Sequence, residues 1–386
     1  MLFKLKCLAT LAIAAGAVLP VSAQLLDTQA EYAVIMDYET EEVLFSKKGS
    51  EAMIPASMTK IMTAHVIYEA IEDGELALDT RLPVSERAWR EGGWATGGST
   101  MGLSIGETPT VEELLRGVII LSGNDACIVL AEGLSGTEES FARRMTEVAQ
   151  EMGLTSANFK NASGLHEEGH VISAVDLAKL ARMEIDKFPQ YYSYYSEREM
   201  SWNGITQQNR NPLLGKMDGA DGLKTGHLEI SGYGLTASAE RDGERRIIVI
   251  NGLPSSQARA DEADRLMRLA FNAFEGRTVE PTENEMAVVP VWNGEVREVG
   301  VRLENPVRVT AHKSAFSKAT AAIVYNGPIE APVEAGQELA TLEITVEGKD
   351  EPIRAPLVAT ESVEKLGFLG RAIEGLSLKV GGQDAS

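Results

Sequence analysis

The chain has 386 residues, 44% hydrophobic and 24% charged, a globular composition that excludes collagen-like, coiled-coil and mostly disordered classes. With 36 Lys+Arg against 57 Asp+Glu the net charge is -21, which argues against a nucleic-acid partner, because phosphate binding needs clustered cations. The length suits roughly two domains of about 150 residues each.

The first 23 residues read as a signal peptide. Lys4 and Lys6 form a positive start, Cys7 to Leu19 is a short apolar run, and Val21-Ser22-Ala23 offers small residues for cleavage before Gln24. The run is too short to cross a bilayer of about 30 Å as a helix. Removing this segment moves the charge to -23 and leaves Cys127 as the single cysteine, so no internal disulfide forms. Cys127 lies in an apolar run and reads as a small core residue.

Residues 33–38 and 43–46 read as two strands joined by a polar turn. Apolar residues Ile61, Met62, Val66, Ile67, Ala70 and Ile71 recur at helical spacing, predicting a helix from Ser57 to about Ile71. Pro55 keeps it from starting much earlier. Helical patterns return at 111–120, 125–134, 138–152 and 174–185. Residues 232–239 and 245–252 are strand-like around Arg241-Asp242-Gly243-Glu244, a hairpin turn, and a helix follows at about 260–274. Strands at both ends with helices between them predict one sheet flanked by helices over 24–278.

Beyond Glu275 the alternation switches to the strand period at 307–310, 321–325 and 339–346, predicting a small all-β domain at 279–360. From Glu361 to Val380 helical spacing returns through Leu366, Leu369, Ile373, Leu376 and Val380, so 361–386 is an amphipathic segment and a candidate membrane anchor. Gly367, Gly370 and Gly375 weaken that helix.

Three short motifs carry chemistry. Ser57-Met58-Thr59-Lys60 opens the first helix and sets a hydroxyl and an amine on one face. A lysine of depressed pKa is able to take the serine proton and make it a nucleophile. Ser122-Gly123-Asn124 breaks two helical patterns and offers a second hydroxyl and an amide, for proton relay and for holding a carbonyl. Lys224-Thr225-Gly226 begins a strand, where a substrate backbone would pair along the edge and its carboxylate would meet Lys224 and Thr225. Taken singly each has a plain reading: a helix cap, a turn and a strand start.

Their order and separations, 65 residues from Ser57 to Ser122 and 102 from Ser122 to Lys224, match the triplet of penicillin-binding proteins and class A β-lactamases. From about residue 28 to the C-terminus the chain resembles the low-molecular-mass penicillin-binding proteins that are serine-type D-alanyl-D-alanine carboxypeptidases. The likeness includes Pro55-Ala56-Ser57, Ser122 to Cys127, Asn209-Arg210-Asn211 and Asp221 to His227. It implies an α/β serine β-lactamase/transpeptidase-like catalytic domain, an antiparallel sheet flanked by helices, followed by the small all-β domain as a spacer from the inner membrane. It further implies that Ser57 attacks the D-Ala-D-Ala carbonyl of a peptidoglycan stem pentapeptide, with Lys60 as base. Ser122 would pass the proton to the leaving amine and Asn124 would orient the peptide. The backbone N–H groups of Ser57 and His227 would form the oxyanion hole. Lys224, Thr225 and Gly226 would hold the carboxylate end, and Arg259 aligns with a family Arg of the same purpose, although the preceding loop differs in length. β-Lactams would acylate Ser57, and no cofactor or metal is needed. An exported, periplasmic protein, peripheral on the inner membrane, follows from the same likeness.

Leu228 follows His227 where the family more often has Thr. Three other readings compete. A β-lactamase would need a deacylating Glu between the second and third motifs; Glu167 and Glu168 fall there without the Glu-x-x-Leu-Asn context. His166-Glu167-Glu168-Gly169-His170 matches H-E-x-x-H, a zinc-peptidase string that works only on a helix, and its glycines and flanks predict a loop instead. A non-catalytic peptidoglycan-binding protein would not need every motif side chain in place.

Overall fold

The computed structural model describes residues 27–367. The expected signal peptide and most of the terminal amphipathic segment lie outside the described residues. Two compact units divide between Ala273 and Phe274, five residues before the boundary read from the sequence.

The first unit begins with β1 (Tyr32–Asp37), β2 (Val43–Lys47) and the short β3 (Ala52–Met53), then α1 (Lys60–Glu72) and α2 (Glu86–Gly92). Next come α3 (Val111–Ile119), α4 (Asn124–Ser135), α5 (Glu138–Glu151), β4 (Ile172–Ser173), α6 (Ala174–Lys187) and α7 (Pro189–Tyr192). It closes with β5 (Glu199–Trp202), β6 (Ile205–Gln208), β7 (Ala220–Leu228), β8 (Gly232–Arg241), β9 (Glu244–Leu253) and α8 (Ser256–Asn272). The main sheet has the order β2-β1-β9-β8-β7, antiparallel throughout. Both its faces are covered. Val34 and Met36 join a core with the helices α1 and α3–α6, while Ala33 and Ile35 join one with Ala263, Leu266 and Met267 of α8. A strand buried on both faces shows a continuous apolar run, as residues 33–36 do.

Caps set the helix starts. Thr110 and Glu113 form a reciprocal capping box on α3, and Ser173 and Ser255 accept N–H bonds at the heads of α6 and α8. The Ser255 cap explains why α8 starts four residues before its apolar pattern. Seven-residue α2 escapes periodicity because only Ala88 and Gly92 are buried; its signal is the Ser85 cap. α1 is buried nearly all round, as expected of a central helix.

The second unit is all β. It contains β10 (Phe274–Val279), β11 (Ala287–Trp292), β12 (Glu298–Leu303), β13 (Val307–His312), β14 (Thr320–Tyr325), β15 (Ile329–Glu330), β16 (Glu338–Thr345) and β17 (Ile353–Ala359). Six strands run β14-β16-β17-β12-β11-β15, and β10 pairs with β13. That pairing is why 274–279 belongs to this unit. Val289, Val301, Leu303, Leu342 and Leu357 fill its core. Helix was expected from Glu361; residues 361–367 are extended instead, because Val363 exchanges both backbone bonds with Val333 at 2.9 Å.

Candidate active site

Ser57 stands on a 3₁₀ turn, Ala56–Thr59, that feeds directly into α1. The sequence predicted one α-helix here. The tighter turn matters, because at three residues per turn side chains i and i+3 eclipse, bringing Lys60 Nζ to 3.1 Å from Ser57 Oγ. Ala56 takes a left-handed φ of 49° to enter the turn, a costly conformation for a residue with a Cβ. Neighbours on both sides hold it there. A Cβ on Gly226 would lie 2.7 Å from the Pro55 carbonyl oxygen, and one on Gly164 only 1.9 Å from that of Ala56. The sequence therefore puts glycine where backbone must touch backbone.

Lys60 is fully buried. Besides Ser57 its Nζ meets the Asn124 Oδ1 at 2.8 Å and the Ser163 carbonyl oxygen at 2.6 Å. Both are acceptors only, so each takes an N–H. A neutral amine has two hydrogens and one lone pair; with both hydrogens engaged, the lone pair faces the Ser57 hydroxyl. Burial, reinforced by the Arg210 charge, lowers the Lys60 pKa in the same direction.

The second motif joins α3 to α4. Ser122 adopts φ 61°, and its Oγ is buried without a hydrogen-bond partner among the described residues. Asn124 opens α4, its own N–H donating to the Ser99 carbonyl at 2.9 Å. Next to it, the buried Asp125 carboxylate gathers the facing loop, accepting from Thr100 Oγ1 and from the N–H groups of Met101, Gly102 and Leu103 at 2.7–3.0 Å. That anchor fixes the turn carrying Ser122 and Asn124.

Lys224-Thr225-Gly226 lies in the middle of β7, not at its start. β7 is the outer strand of the main sheet, so one of its edges is open for another strand. Gly226 pairs with Gly234 of β8, and a Cβ on Gly234 would lie 2.7 Å from Met58 Cε; the two glycines make a flat seat for the nucleophile turn. Thr225 is buried and His227 exposed. The His227 ring stacks on Tyr233 at 3.8 Å, and the Arg259 guanidinium sits over the Tyr233 ring at 5.6 Å.

Positive charge converges here. Burial first, then the charges of Lys60 and Arg210, hold the Lys224 pKa well below its ordinary value. Burial also lowers Arg259, which feels Arg210 as well, and its Nε has no hydrogen-bond partner among the described residues. Arg210 bonds Ser99 Oγ, tying this end of the site to the loop that Asp125 gathers. A buried guanidinium short of acceptors, beside a buried lysine able to take up a proton, makes a receptor for a carboxylate. The structure therefore brings Ser57, Lys60 and Asn124 into direct contact, sets Ser122 in the turn that opens into Asn124, and puts Arg259 over the Tyr233 ring that stacks on His227.

Sequence reasoning missed the Ser163 carbonyl, Asp125 and Tyr233. The Asn161-Ala162-Ser163-Gly164 stretch carries only a turn signal. The H-E-x-x-H string runs through the loop that follows. His166, Glu167 and Glu168 are exposed, and His170 is buried with both ring nitrogens engaged by protein groups, so the string has no helical face to offer a metal. Burial pushes the Cys127 thiol up to about 12, an inert core residue.

Residues 19–254 match the model of the D-alanyl-D-alanine carboxypeptidase family, and residues 274–365 that of the penicillin-binding protein 5 C-terminal domain. The D-alanyl-D-alanine carboxypeptidase DacC of Escherichia coli is 35% identical over 351 residues, covering 90% of this chain and 87% of its own. DacF of Bacillus subtilis is 35% identical over 347 residues, 88% and 87%. Among solved structures, penicillin-binding protein 5 of Haemophilus influenzae superimposes with a TM-score of 0.76 at 30% identity, covering 91% of this chain and 100% of its own. Penicillin-binding protein D2 of Listeria monocytogenes, solved in an ampicillin-bound form, has a TM-score of 0.56 at 28% identity, covering 64% and 99%.

Proposed function

The chain belongs to the D-alanyl-D-alanine carboxypeptidase family, and from that premise we propose how its residues carry out the reaction. The protein is a serine-type peptidase of the penicillin-binding class, a cell-wall hydrolase. Its substrate is the D-Ala-D-Ala end of a peptidoglycan stem pentapeptide. The carboxylate enters beside Lys224, Thr225 and Arg259, where its charge restores the Lys224 ammonium. The peptide adds along the open edge of β7, with Asn124 orienting its amide.

Lys60 accepts the Ser57 proton as Oγ attacks the penultimate carbonyl. The oxyanion rests on the N–H groups of Ser57 and His227, a donor pair of which one member typically contributes about 3 kcal/mol. Collapse breaks the peptide bond, the proton travels from Lys60 by way of Ser122 to the leaving D-Ala amine, and an ester remains on Ser57. Water, deprotonated by the same base, hydrolyses that ester. The observation that carries this reading is the buried Lys60 amine, 3.1 Å from the Ser57 oxygen and otherwise in contact with two acceptors, the Asn124 Oδ1 and the Ser163 carbonyl oxygen.

Free D-alanine released from a peptide ending in Lys-D-Ala-D-Ala, with penicillin turnover followed in parallel, tests it. Release with a slowly cleared penicillin adduct on Ser57 is expected, and Ser57→Ala abolishes both. Release that survives in Ser57→Ala would mean another nucleophile, and rapid penicillin hydrolysis without release a β-lactamase.

Residues 1–23 act as an export signal and the protein works in the periplasm, supported by the Lys4 and Lys6 start and the short apolar run. No helix among the described residues is long and apolar enough to cross a membrane. Peripheral contact with the inner membrane falls to the terminal segment, through Leu369, Ile373, Leu376 and Val380. Liposome co-sedimentation with and without residues 368–386 checks this; equal pelleting refutes it.

A further inference from the structure

The second histidine of the H-E-x-x-H string has a use that the string does not announce. Residues 159–170 form a loop closed at its neck by the Asn158–Val171 backbone pair, at 2.8 and 3.0 Å, and by Asn158 Nδ2 donating to the Gly169 carbonyl at 2.8 Å. At its tip, Ser163 offers the carbonyl that holds Lys60, and Gly164 presses on Ala56 and Thr59. Between neck and tip sits the His170 ring, 1% exposed, its edge toward Phe159 at 5.6 Å.

The ring's tautomer follows from its partners. The Lys160 backbone N–H points at His170 Nδ1 at 3.1 Å, and an amide N–H only donates, so Nδ1 carries the lone pair. In the neutral ring the hydrogen is then on Nε2, which donates to Thr59 Oγ1 at 2.8 Å. Thr59 belongs to the nucleophile turn and precedes Lys60 directly.

We infer that His170 is a positioning residue for the acylation step: by tying the 159–170 loop to Thr59 it seats the Ser163 carbonyl on Lys60 and so aims the lysine lone pair at Ser57. This deepens, and rests on, the reading of Lys60 as the base. The tie acts on the proton transfer and not on the carboxylate end of the site, since no hydrogen bond of the ring reaches Lys224, Thr225 or Arg259. Burial is the main cause that keeps the ring neutral, and the Lys160 N–H fixes its tautomer.

The two ring nitrogens can be tested separately, because a Gln amide mimics the Nε2 position and an Asn amide the Nδ1 position. His170→Gln keeps the donor to Thr59, whereas His170→Asn keeps only the acceptor for Lys160. The measurements are kcat and KM for D-Ala release from the Lys-D-Ala-D-Ala peptide and the pH dependence of acylation by penicillin. A misplacement of about 1 Å costs roughly 100-fold in rate, so His170→Asn and His170→Ala should lose on the order of 10- to 100-fold in kcat with KM little changed. The acid limb of their acylation profile should move, while His170→Gln recovers most of the rate. Thermal unfolding of each variant identifies one that fails to fold, and the Gln variant then carries the comparison against wild type. Asn and Gln variants alike in rate, or a change confined to KM, overturn the inference. A wild-type protein that neither releases D-alanine nor forms a Ser57 adduct would instead overturn the reading beneath it.

Discussion

Replacing Asn124 by aspartate changes almost nothing in volume and reverses the electrostatics of the base. The Asn124 Oδ1 lies 2.8 Å from Lys60 Nζ. At that separation and an effective dielectric of about 20, a unit charge on each group attracts by about 6 kcal/mol. Spreading the negative charge over two carboxylate oxygens leaves about 5 kcal/mol, which shifts the Lys60 protonation equilibrium roughly 10³- to 10⁴-fold toward the ammonium. An ammonium has no lone pair for the Ser57 proton. Acylation of Asn124→Asp by penicillin at neutral pH should therefore fall, by up to about that factor, and recover as pH rises and the proton is stripped from Lys60. Stopped-flow acylation across a pH series reads both the loss and the recovery. Asn124→Ala, which removes the amide without adding charge, should lose rate without the alkaline displacement. An aspartate variant whose profile superimposes on wild type after scaling would refute the assignment of Lys60 as a neutral base.

The buried His170 predicts acid sensitivity of the fold. Its pKa is held near 4 against an ordinary 6.5, by burial first and then by Lys60 and Lys160. The unfolded chain therefore takes up a proton where the native one does not, and stability present above pH 6.5 is lost as pH falls to 4, by about 3 kcal/mol. Urea unfolding of wild type and His170→Gln across that window should show the wild type falling more steeply; parallel curves would contradict it. Gly226→Ala would push a Cβ to 2.7 Å from the Pro55 carbonyl oxygen, displacing the nucleophile turn and lowering penicillin acylation by about 100-fold, measurable by adduct mass spectrometry. Thr110→Ala removes half of the α3 capping box and should cost about 1 kcal/mol of stability in urea unfolding, with D-Ala release unchanged.

Much of this protein is written locally. The apolar period at 61–71, the Ser and Thr caps, and the Asp242-Gly243 hairpin, whose residues take φ 51° and 76°, each follow from neighbours in the chain. So do the three motifs, whose side chains, order and spacing single out Ser57, Lys60, Ser122, Asn124 and Lys224 as candidates. Local patterns misled where a competing contact was remote. Residues 361–367 have helical spacing but pair with Val333 and Gly294, and seven-residue α2 has too little buried surface to show a period. The chemistry of H-E-x-x-H depends on whether those residues lie on a helix, and the fold places them in a loop.

What only the tertiary structure decided is the surroundings of Lys60. The Ser163 carbonyl is a backbone group, which no residue type encodes, and it reaches Lys60 from 103 positions away. The Thr59–His170 tie spans 111. The cation cluster of Lys224, Arg210 and Arg259 exists because β7, the segment before it and α8 converge at one end of the sheet. Side-chain identity could name the candidate groups, because a nucleophile and a base need particular atoms. Their pKa and orientation come from burial and from acceptors supplied by distant backbone, and those arise only when the chain is folded.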